Sequence, residues 1–85
     1  MVRSDLRKRE KKILLILSDG QERFVLQLVE AFGGGLSIRG VIYVYLARLE
    51  DLGLVGRQME VLAEDTERPP RPLYRITDEG RKAIT

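Results

Sequence analysis

The sequence lacks both cysteine and histidine, and each absence excludes a class of protein. Without cysteine no disulfide can stabilise the fold, which excludes a disulfide-bonded secreted mini-protein. Without either residue the chain cannot build the common Cys/His zinc sites, or the Cys–His and Ser–His pairs of nucleophilic enzymes. We therefore expect no catalytic residues, no metal site, no cofactor and no enzymatic activity.

Long apolar runs and a large net charge are also missing. The apolar run 13–17 behind the basic N-terminus is too short for a signal peptide core. No run approaches the roughly 18 residues of a membrane span. The net charge is only +2, so binding to nucleic acid would depend on where the charges lie. We expect a soluble cytoplasmic protein that does not enter a membrane.

The first predicted helix, residues 5–17, is amphipathic. Ser4 is a suitable N-cap, and Asp5 suits the first turn of a helix. The apolar positions recur at helical spacing: Leu6, Ile13, Leu14 and Leu17. The basic residues before position 13 form a solvated face, contact a nucleic-acid backbone, or belong to an arm that mediates dimerisation. The sequence alone leaves these three interpretations open.

Two further helices are predicted over residues 21–32 and 37–52, with three glycines between them. The glycines end the second helix and give a pliable turn, and Ser37 is the expected N-cap of the third. Gly35 and Gly40 have the spacing of a phosphate-binding loop. However, valine and isoleucine follow Gly40, where such a loop needs lysine and a hydroxyl residue. Two helices joined by a short Gly-containing turn indicate a helix-turn-helix.

After the third helix, apolar residues alternate with polar ones, which predicts strands. Gly53 suits a Schellman-type helix end, and strands over 54–62 and 73–76 would form a hairpin with a ten-residue tip. Thr77 is expected to cap a last helix, 78–84. The 85 residues are thus predicted to form one domain, residues 1–85. Its fold class is α+β, mainly α: a winged helix-turn-helix with three helices, a two-stranded wing and a C-terminal helix.

Three segments carry a family resemblance. Residues 13–20 are an apolar run followed by a Ser-Asp-Gly turn, and residues 40–55 begin with Gly-Val-Ile-Tyr and end with Gly-Leu-Val. Residues 70–80 contain Pro-Arg followed by Tyr-Arg-Ile-Thr-Asp-Glu-Gly. Together they resemble the PadR-like winged-helix transcriptional regulators. The segment from Tyr74 to Gly80 is the most specific of the three. The resemblance implies an intracellular DNA-binding protein of prokaryotic, archaeal or viral origin. It also implies a homodimer, which the marginal stability of so small a domain favours as well.

The sequence also departs from the family pattern. Val41 stands where the family usually has a hydroxyl residue, and one extra residue lies between Leu36 and Gly40. Ile38 and Arg39 replace the usual Ser-Pro start of this helix. Full-length members continue into C-terminal helices that make the dimer and shape an effector pocket. The chain is therefore a short member or an N-terminal DNA-binding domain, and its effector is unknown.

On a helical wheel, the N-terminal half of the third helix, which enters the major groove in helix-turn-helix proteins, turns several residues outward. The predicted DNA-binding residues of this helix are Ser37, Arg39, Gly40, Tyr43, Val44 and Ala47. Arg39 carries the fork that pairs with guanine, and Tyr43 can donate to a phosphate, as the resemblance also implies. The small Gly40 and Ala47 permit close approach. A solvated Arg39 and a Tyr43 half-buried against the wing are the structural alternatives.

The wing adds two predicted DNA contacts, Arg68 and Arg71, which lie beside prolines and suit the minor groove or the phosphates. Four acidic residues before them should weaken this contribution, and a solvated charged hairpin is the alternative. Arg48 lies beyond the groove-facing turns, and we expect it to pair with Asp51 in the same helix.

The favoured function is a sequence-specific DNA-binding transcriptional regulator, expected to be a repressor, that binds double-stranded DNA as a homodimer. Its third helix would read the major groove, and its wing would contact the backbone or minor groove. The alternative is a winged-helix protein–protein interaction module, because the same fold also serves for docking. The operator sequence and the regulated genes are not readable from the chain.

Overall fold

The structure, a computed structural model, describes residues 5–85. Within them the elements follow the order α1 (Lys8–Ile16), β1 (Arg23–Phe24), α2 (Val25–Phe32), α3 (Arg39–Asp51), β2 (Val55–Met59), β3 (Pro72–Ile76) and α4 (Asp78–Ala83). Two 3-10 turns, Leu17–Asp19 and Leu36–Ile38, precede β1 and α3. The predicted α+β, mainly helical winged-helix fold is confirmed.

The apolar faces of the helices and the base of the wing share one core. Each helix contributes residues at 3.6-residue spacing, and β3 contributes alternate residues, so both periodicities converge on the same interior. The fully buried side chains at its centre are Ile13, Leu14, Leu17, Leu28, Ile42, Leu46, Leu49 and Leu54. Tyr74 and Ile76 of β3 are also buried and attach the wing to the helices.

The first helix begins three residues later than its predicted start at Asp5. Arg7 is the N-cap, and its backbone N–H donates to Glu10 Oε1 at 2.8 Å, which is the second half of a capping box. This bond ties the helix start to Glu10, and residues 5–7 before it are not helical. The predicted cap, Ser4, lies outside the described residues.

The second helix also begins later than the predicted Gln21, because a short strand takes its place. The carboxylate of Asp19 accepts the Gln21 N–H at 3.0 Å and pairs with Arg23, so the chain leaves the turn extended. Arg23 then pairs with Tyr74 and Phe24 with Leu73 in antiparallel register. In residues 5–85 the sheet therefore has three strands, in the order β1-β3-β2, instead of the predicted two.

The third helix differs from the prediction at its start and agrees with it at its end. The predicted cap by Ser37 is wrong, since its hydroxyl donates to the Gly34 carbonyl at 3.2 Å within a 3-10 turn, and α3 begins at Arg39. At the other end, Gly53 has a φ of 76° and its N–H donates to the Glu50 carbonyl. The Leu54 N–H donates to the Leu49 carbonyl, which completes the Schellman motif.

The wing is shorter on one side than the alternation suggested. β2 ends at Met59 instead of residue 62, although the Glu60 N–H still donates to the Arg71 carbonyl at 2.9 Å. Beyond that bond the partner segment contains Pro69 and Pro70, which have no N–H to extend the ladder. β3 begins one residue earlier than predicted, at Pro72.

The last helix is capped as predicted. Thr77 Oγ1 accepts the Gly80 N–H at 3.0 Å, and its hydroxyl donates to the Gly53 carbonyl at 2.7 Å. One side chain therefore joins the turn after α3 to the start of α4. α4 ends at Ala83, one residue before the predicted end. A Cβ on Gly80 would lie 2.1 Å from the Leu54 carbonyl oxygen. Only glycine therefore allows α4 to pack so closely against the end of α3.

Across residues 5–85, no group of three or more acidic residues is placed to hold a metal ion. In that same part of the chain, no single helix has the length and apolar character to cross a membrane. Within residues 5–85, one pair of helical segments meets the length and composition only when its two members are taken together. The pair is Val25–Phe32 and Leu36–Asp51, and it is bent by 119° at the break.

Candidate nucleic-acid interface

The outer face of α3 is formed by Gly40, Val44 and Ala47, which are all exposed. They follow one another at i+4 and i+3 and therefore lie along one line of the helix. The opposite side carries the buried residues Ile42, Leu46 and Leu49. Because these three fix the rotation of α3 against the core, the line Gly40–Val44–Ala47 must project away from the protein.

Arg39 and Tyr43 lie on the flank of α3, beside this outer line. They face β1 and the wing across a cavity of about 70 Å³, which we call the helix–wing cleft. Its lining consists of Phe24, Val25, Leu26, Arg39, Tyr43, Arg71 and Pro72. The sequence-predicted residues Arg39, Tyr43 and Arg71 are thus brought together, although Arg71 is distant from the other two along the chain.

Both arginines of the helix–wing cleft lie over aromatic rings. The guanidinium carbon of Arg71 is 3.9 Å from the centre of the Phe24 ring, and that of Arg39 is 5.9 Å from the centre of the Tyr43 ring. At 3.9 Å the Phe24 ring supports the guanidinium group of Arg71 closely, whereas the contact of Arg39 with Tyr43, at 5.9 Å, is a looser cation–π contact. The cleft therefore presents two oriented cations and the Tyr43 ring at one opening.

Tyr74 supports this arrangement from beneath. It is buried at the centre of the sheet, opposite Arg23 on one side and Arg57 on the other. Burial raises the pKa of Tyr74, and the nearby Arg57 opposes that shift only in part. Tyr74 therefore stays neutral and anchors the strand that carries the cleft side of the wing.

The predicted wing contacts are not free cations. Arg68 donates both Nη groups to the carboxylate of Glu60, at 2.5 and 3.1 Å, and Arg71 Nη2 lies 3.6 Å from Glu60 Oε2. The hydrogen bond from Arg68 is the main reason why the pKa of Glu60 lies below its ordinary value. Glu60 thus neutralises part of the positive charge that Arg68 and Arg71 would offer to a phosphate.

The prediction for Arg48 is wrong. Its Nη1 lies 2.5 Å from Glu10 Oε1, not beside Asp51, and Glu10 is completely buried between α1 and α3. Nη2 of Arg48 lies 3.4 Å from the Asp5 carbonyl oxygen. Arg48 therefore holds α3 against the start of α1 and does not belong to the interface.

The basic first helix has at least one structural role. Lys12 donates to the Phe32 carbonyl at 2.9 Å, and its ammonium lies 4.3 Å from the centre of the Phe32 ring. It thereby satisfies the C-terminus of α2, where a cation is favourable. The remaining basic residues of α1, with the exposed Leu15, line a groove on the side of Phe32.

Sequence reasoning missed two members of this region. Phe24 had the periodicity of a core residue of the second helix, so its place under Arg71 depends on the unpredicted strand β1. Glu60 belongs to the alternating segment before the wing tip, and its spacing to Arg68 and Arg71 carries no hairpin register by itself. A register fixed from Val55 and Ile76 would have placed Glu60 beside Arg71.

A model of the transcriptional regulator PadR-like family matches residues 13–85, which is most of the chain. A search of curated protein sequences found no match. Among solved structures, Bacillus subtilis PadR in complex with operator DNA is 22% identical, with a TM-score of 0.74 over 92% of this chain. This chain spans only 45% of the length of that protein.

Two further solved structures share the fold at somewhat higher identity. The smu.1604c protein of Streptococcus mutans UA159 is 29% identical, with a TM-score of 0.73, and the match covers 92% of this chain and 46% of that one. A PadR-like transcriptional regulator of Bacillus cereus ATCC 14579 is 26% identical, with a TM-score of 0.67, and the match covers 89% of this chain and 73% of that one.

Proposed function

Because the chain belongs to the PadR-like family of transcriptional regulators, we propose that it binds double-stranded DNA sequence-specifically and thereby regulates transcription, as a repressor. The helix–wing cleft is the observation that carries this proposal. It joins two guanidinium groups, each lying over an aromatic ring, at the edge of a helix whose outer line is small and apolar. Such an edge suits the backbone of a duplex whose major groove receives the helix.

The residues around the cleft contact the DNA backbone. Arg39, Tyr43 and Arg71 surround one opening, so a phosphate at that opening would receive charge-assisted hydrogen bonds from both sides. The flank position of Arg39 supports a phosphate contact better than the guanine contact that its chemistry alone suggested. Arg68 contributes less than Arg71, because it donates to Glu60 through both Nη groups.

The outer line of α3 approaches the bases. Gly40 and Ala47 have too little side chain to hold the backbone away from the groove, and Val44 projects between them. Ser37 is exposed beside this line, but its hydroxyl proton is already donated to the Gly34 carbonyl. A phosphate contact by Ser37 would therefore require that bond to break, which makes it the weakest of the proposed contacts.

A homodimer in the cytoplasm completes the proposal. Helix-turn-helix dimers bind two half-sites with matching symmetry, and a second copy also adds the buried area that a small domain lacks. The groove of α1 beside Leu15 and Phe32 is one candidate contact. Sedimentation that gives only the monomer mass at high protein concentration would contradict the dimer without affecting DNA binding.

Salt dependence of DNA affinity tests the function. Neutralised phosphates release counterions, so the affinity should fall steeply and linearly on a log–log plot against salt. Arg39→Ala and Arg71→Ala should each weaken all DNA sequences alike and lower the slope by roughly one. Lys82→Ala, on α4 and paired with Glu79, removes the same charge away from the cleft and should leave the slope unchanged.

The exposed apolar residues Leu36 and Val44 favour a second candidate, a protein interaction module. Binding of a protein partner through them should be nearly insensitive to salt. An absence of duplex binding at low salt, or NMR chemical shifts of residues 37–47 that DNA leaves unchanged, would favour this alternative and remove the DNA-binding proposal.

A further inference from the structure

The outer line of α3 offers no hydrogen-bonding side chain to a bound surface. Its members Gly40, Val44 and Ala47 have hydrogen or alkyl side chains only. Val44 is 63% exposed and stands between two small residues, so its methyl groups project beyond the side chains of Gly40 and Ala47. The polar groups of the region, on Arg39 and Tyr43, lie on the cleft flank instead.

The floor of the major groove presents hydrogen-bond donors and acceptors at every base pair, and one apolar group, the C5-methyl of thymine. An outer line without donors or acceptors cannot satisfy the polar edges of guanine, cytosine or adenine. It can bury a methyl group. We propose that Val44 determines specificity by contacting the C5-methyl of a thymine. This inference rests on the proposed function and names what that site reads.

The charge around Val44 favours DNA over an apolar protein surface as its occupant. Arg39 lies on the adjacent flank, Arg71 lies across the cleft, and α3 carries no acidic residue before Glu50. A duplex that places its phosphates at the cleft meets these cations while its groove floor meets Val44. An uncharged protein surface would desolvate both guanidinium groups and supply no new counter-charge to either, so that Arg71 would keep only its partner Glu60.

Uracil replacement tests the contact, because deoxyuridine differs from thymidine only by the C5-methyl. A duplex is first obtained by in vitro selection with the 85-residue chain, and each thymine is then replaced in turn. At one position in each half-site, replacement should lower the affinity of the wild-type chain about four-fold, the factor expected for one buried methyl. At that position Val44→Ala should bind the thymine and uracil duplexes equally.

Val61→Ala is the matched control, since Val61 is 90% exposed on the wing and loses the same atoms. It should keep the full thymine preference. Wild-type binding that is tight but unchanged by every uracil replacement would overturn the thymine contact and leave DNA binding intact. A thymine preference that survives in Val44→Ala would also overturn it. Failure to select any duplex would remove the proposed function as well, and Val44 would then belong to a protein-docking surface.

Discussion

Two arginine–glutamate pairs of this molecule have the same chemistry and opposite surroundings. In both, a guanidinium nitrogen lies 2.5 Å from a carboxylate oxygen. Glu10 is fully buried between α1 and α3, where Arg48 reaches it, whereas the pair of Glu60 with Arg68 lies on the wing. Burial, and not the identity of the residues, therefore decides what each pair does.

The buried pair fixes the position of α3. Glu10 also accepts the Arg7 N–H, so one carboxylate joins the start of α1 to the last turns of the proposed recognition helix. The wing pair constrains less, since the Arg68 side chain is 44% exposed and the Glu60 side chain, at 14%, is not completely buried. We expect its effect to be on charge, because Glu60 pairs with both arginines of the wing that are proposed to contact DNA. We therefore expect the first pair to affect the stability of the fold and the second to affect the proposed DNA binding.

The largest expected effect comes from breaking the buried pair. Arg48→Ala leaves the Glu10 carboxylate buried without its counter-charge, which costs several kcal/mol in comparable cases. Because the Arg48 side chain is itself 36% exposed, water can reach the site and we expect the lower end, about 3 kcal/mol. Urea unfolding followed by circular dichroism measures the loss in free energy of unfolding.

Lys82→Ala is the control for this prediction. Lys82 lies 3.4 Å from Glu79 in a pair whose side chains are both exposed, so its removal should change the free energy of unfolding little. Equal losses for Arg48→Ala and Lys82→Ala would mean that burial does not distinguish the two kinds of pair, and the comparison would then be wrong.

The buried pair also shows why parts of the fold could not be read from the sequence. The helix end at Gly53 and the N-cap at Thr77 were predicted correctly. Their hydrogen bonds reach only a few residues along the chain, and glycine and threonine are the residue types that suit these positions. Glu10 and Arg48 are 38 residues apart, and Arg48 has the closer acid Asp51 in its own helix. Local spacing therefore favoured the wrong partner.

The candidate site also has one part that local sequence spacing indicates and one part that depends on contacts distant along the chain. The helical period alone indicated which residues of α3 are exposed, including Arg39, Tyr43 and Val44. The cleft, however, requires Phe24 from β1 and Arg71, the residue before β3, and these strands meet through the register of Arg23 with Tyr74 and of Phe24 with Leu73. Neither the strand β1 nor that register has a signal in the apolar pattern, because two residues are too few to show alternation.

The second prediction concerns the wing pair and DNA. Glu60→Gln should strengthen DNA binding by a factor of about 3 to 10 at low salt, since it removes a negative charge from between Arg68 and Arg71. The slope of affinity against salt should steepen, while the free energy of unfolding should change little. Fluorescence anisotropy titrations at several salt concentrations measure both the affinity for DNA and its slope against salt.

Glu64→Gln makes the same change of charge elsewhere on the wing and is the matched control. Glu64 is exposed at the tip. If the two substitutions strengthen binding equally, only the net charge of the wing matters and the pairing of Glu60 has no special role.

The smallest expected effect is on acid stability. The pKa of Glu60 is lowered from its ordinary value near 4.5, first by the hydrogen bond from Arg68. A carboxyl group whose pKa is lower in the folded state stabilises the fold above its unfolded-state pKa, and this contribution disappears as the pH falls through the folded-state value. The difference in unfolding free energy between wild type and Glu60→Gln should therefore shrink between about pH 6 and about pH 3.

Asp19 provides the internal reference for that measurement. Its pKa is also lowered, first by the hydrogen bond from the Gln21 N–H, and it is unchanged in Glu60→Gln. Both proteins should consequently still lose stability in acid, with a shallower loss in the variant. If the two curves stay parallel throughout, the Arg68–Glu60 pair does not stabilise the fold even weakly. The wing pair would then act on DNA affinity alone, and its contrast with the buried pair would be complete.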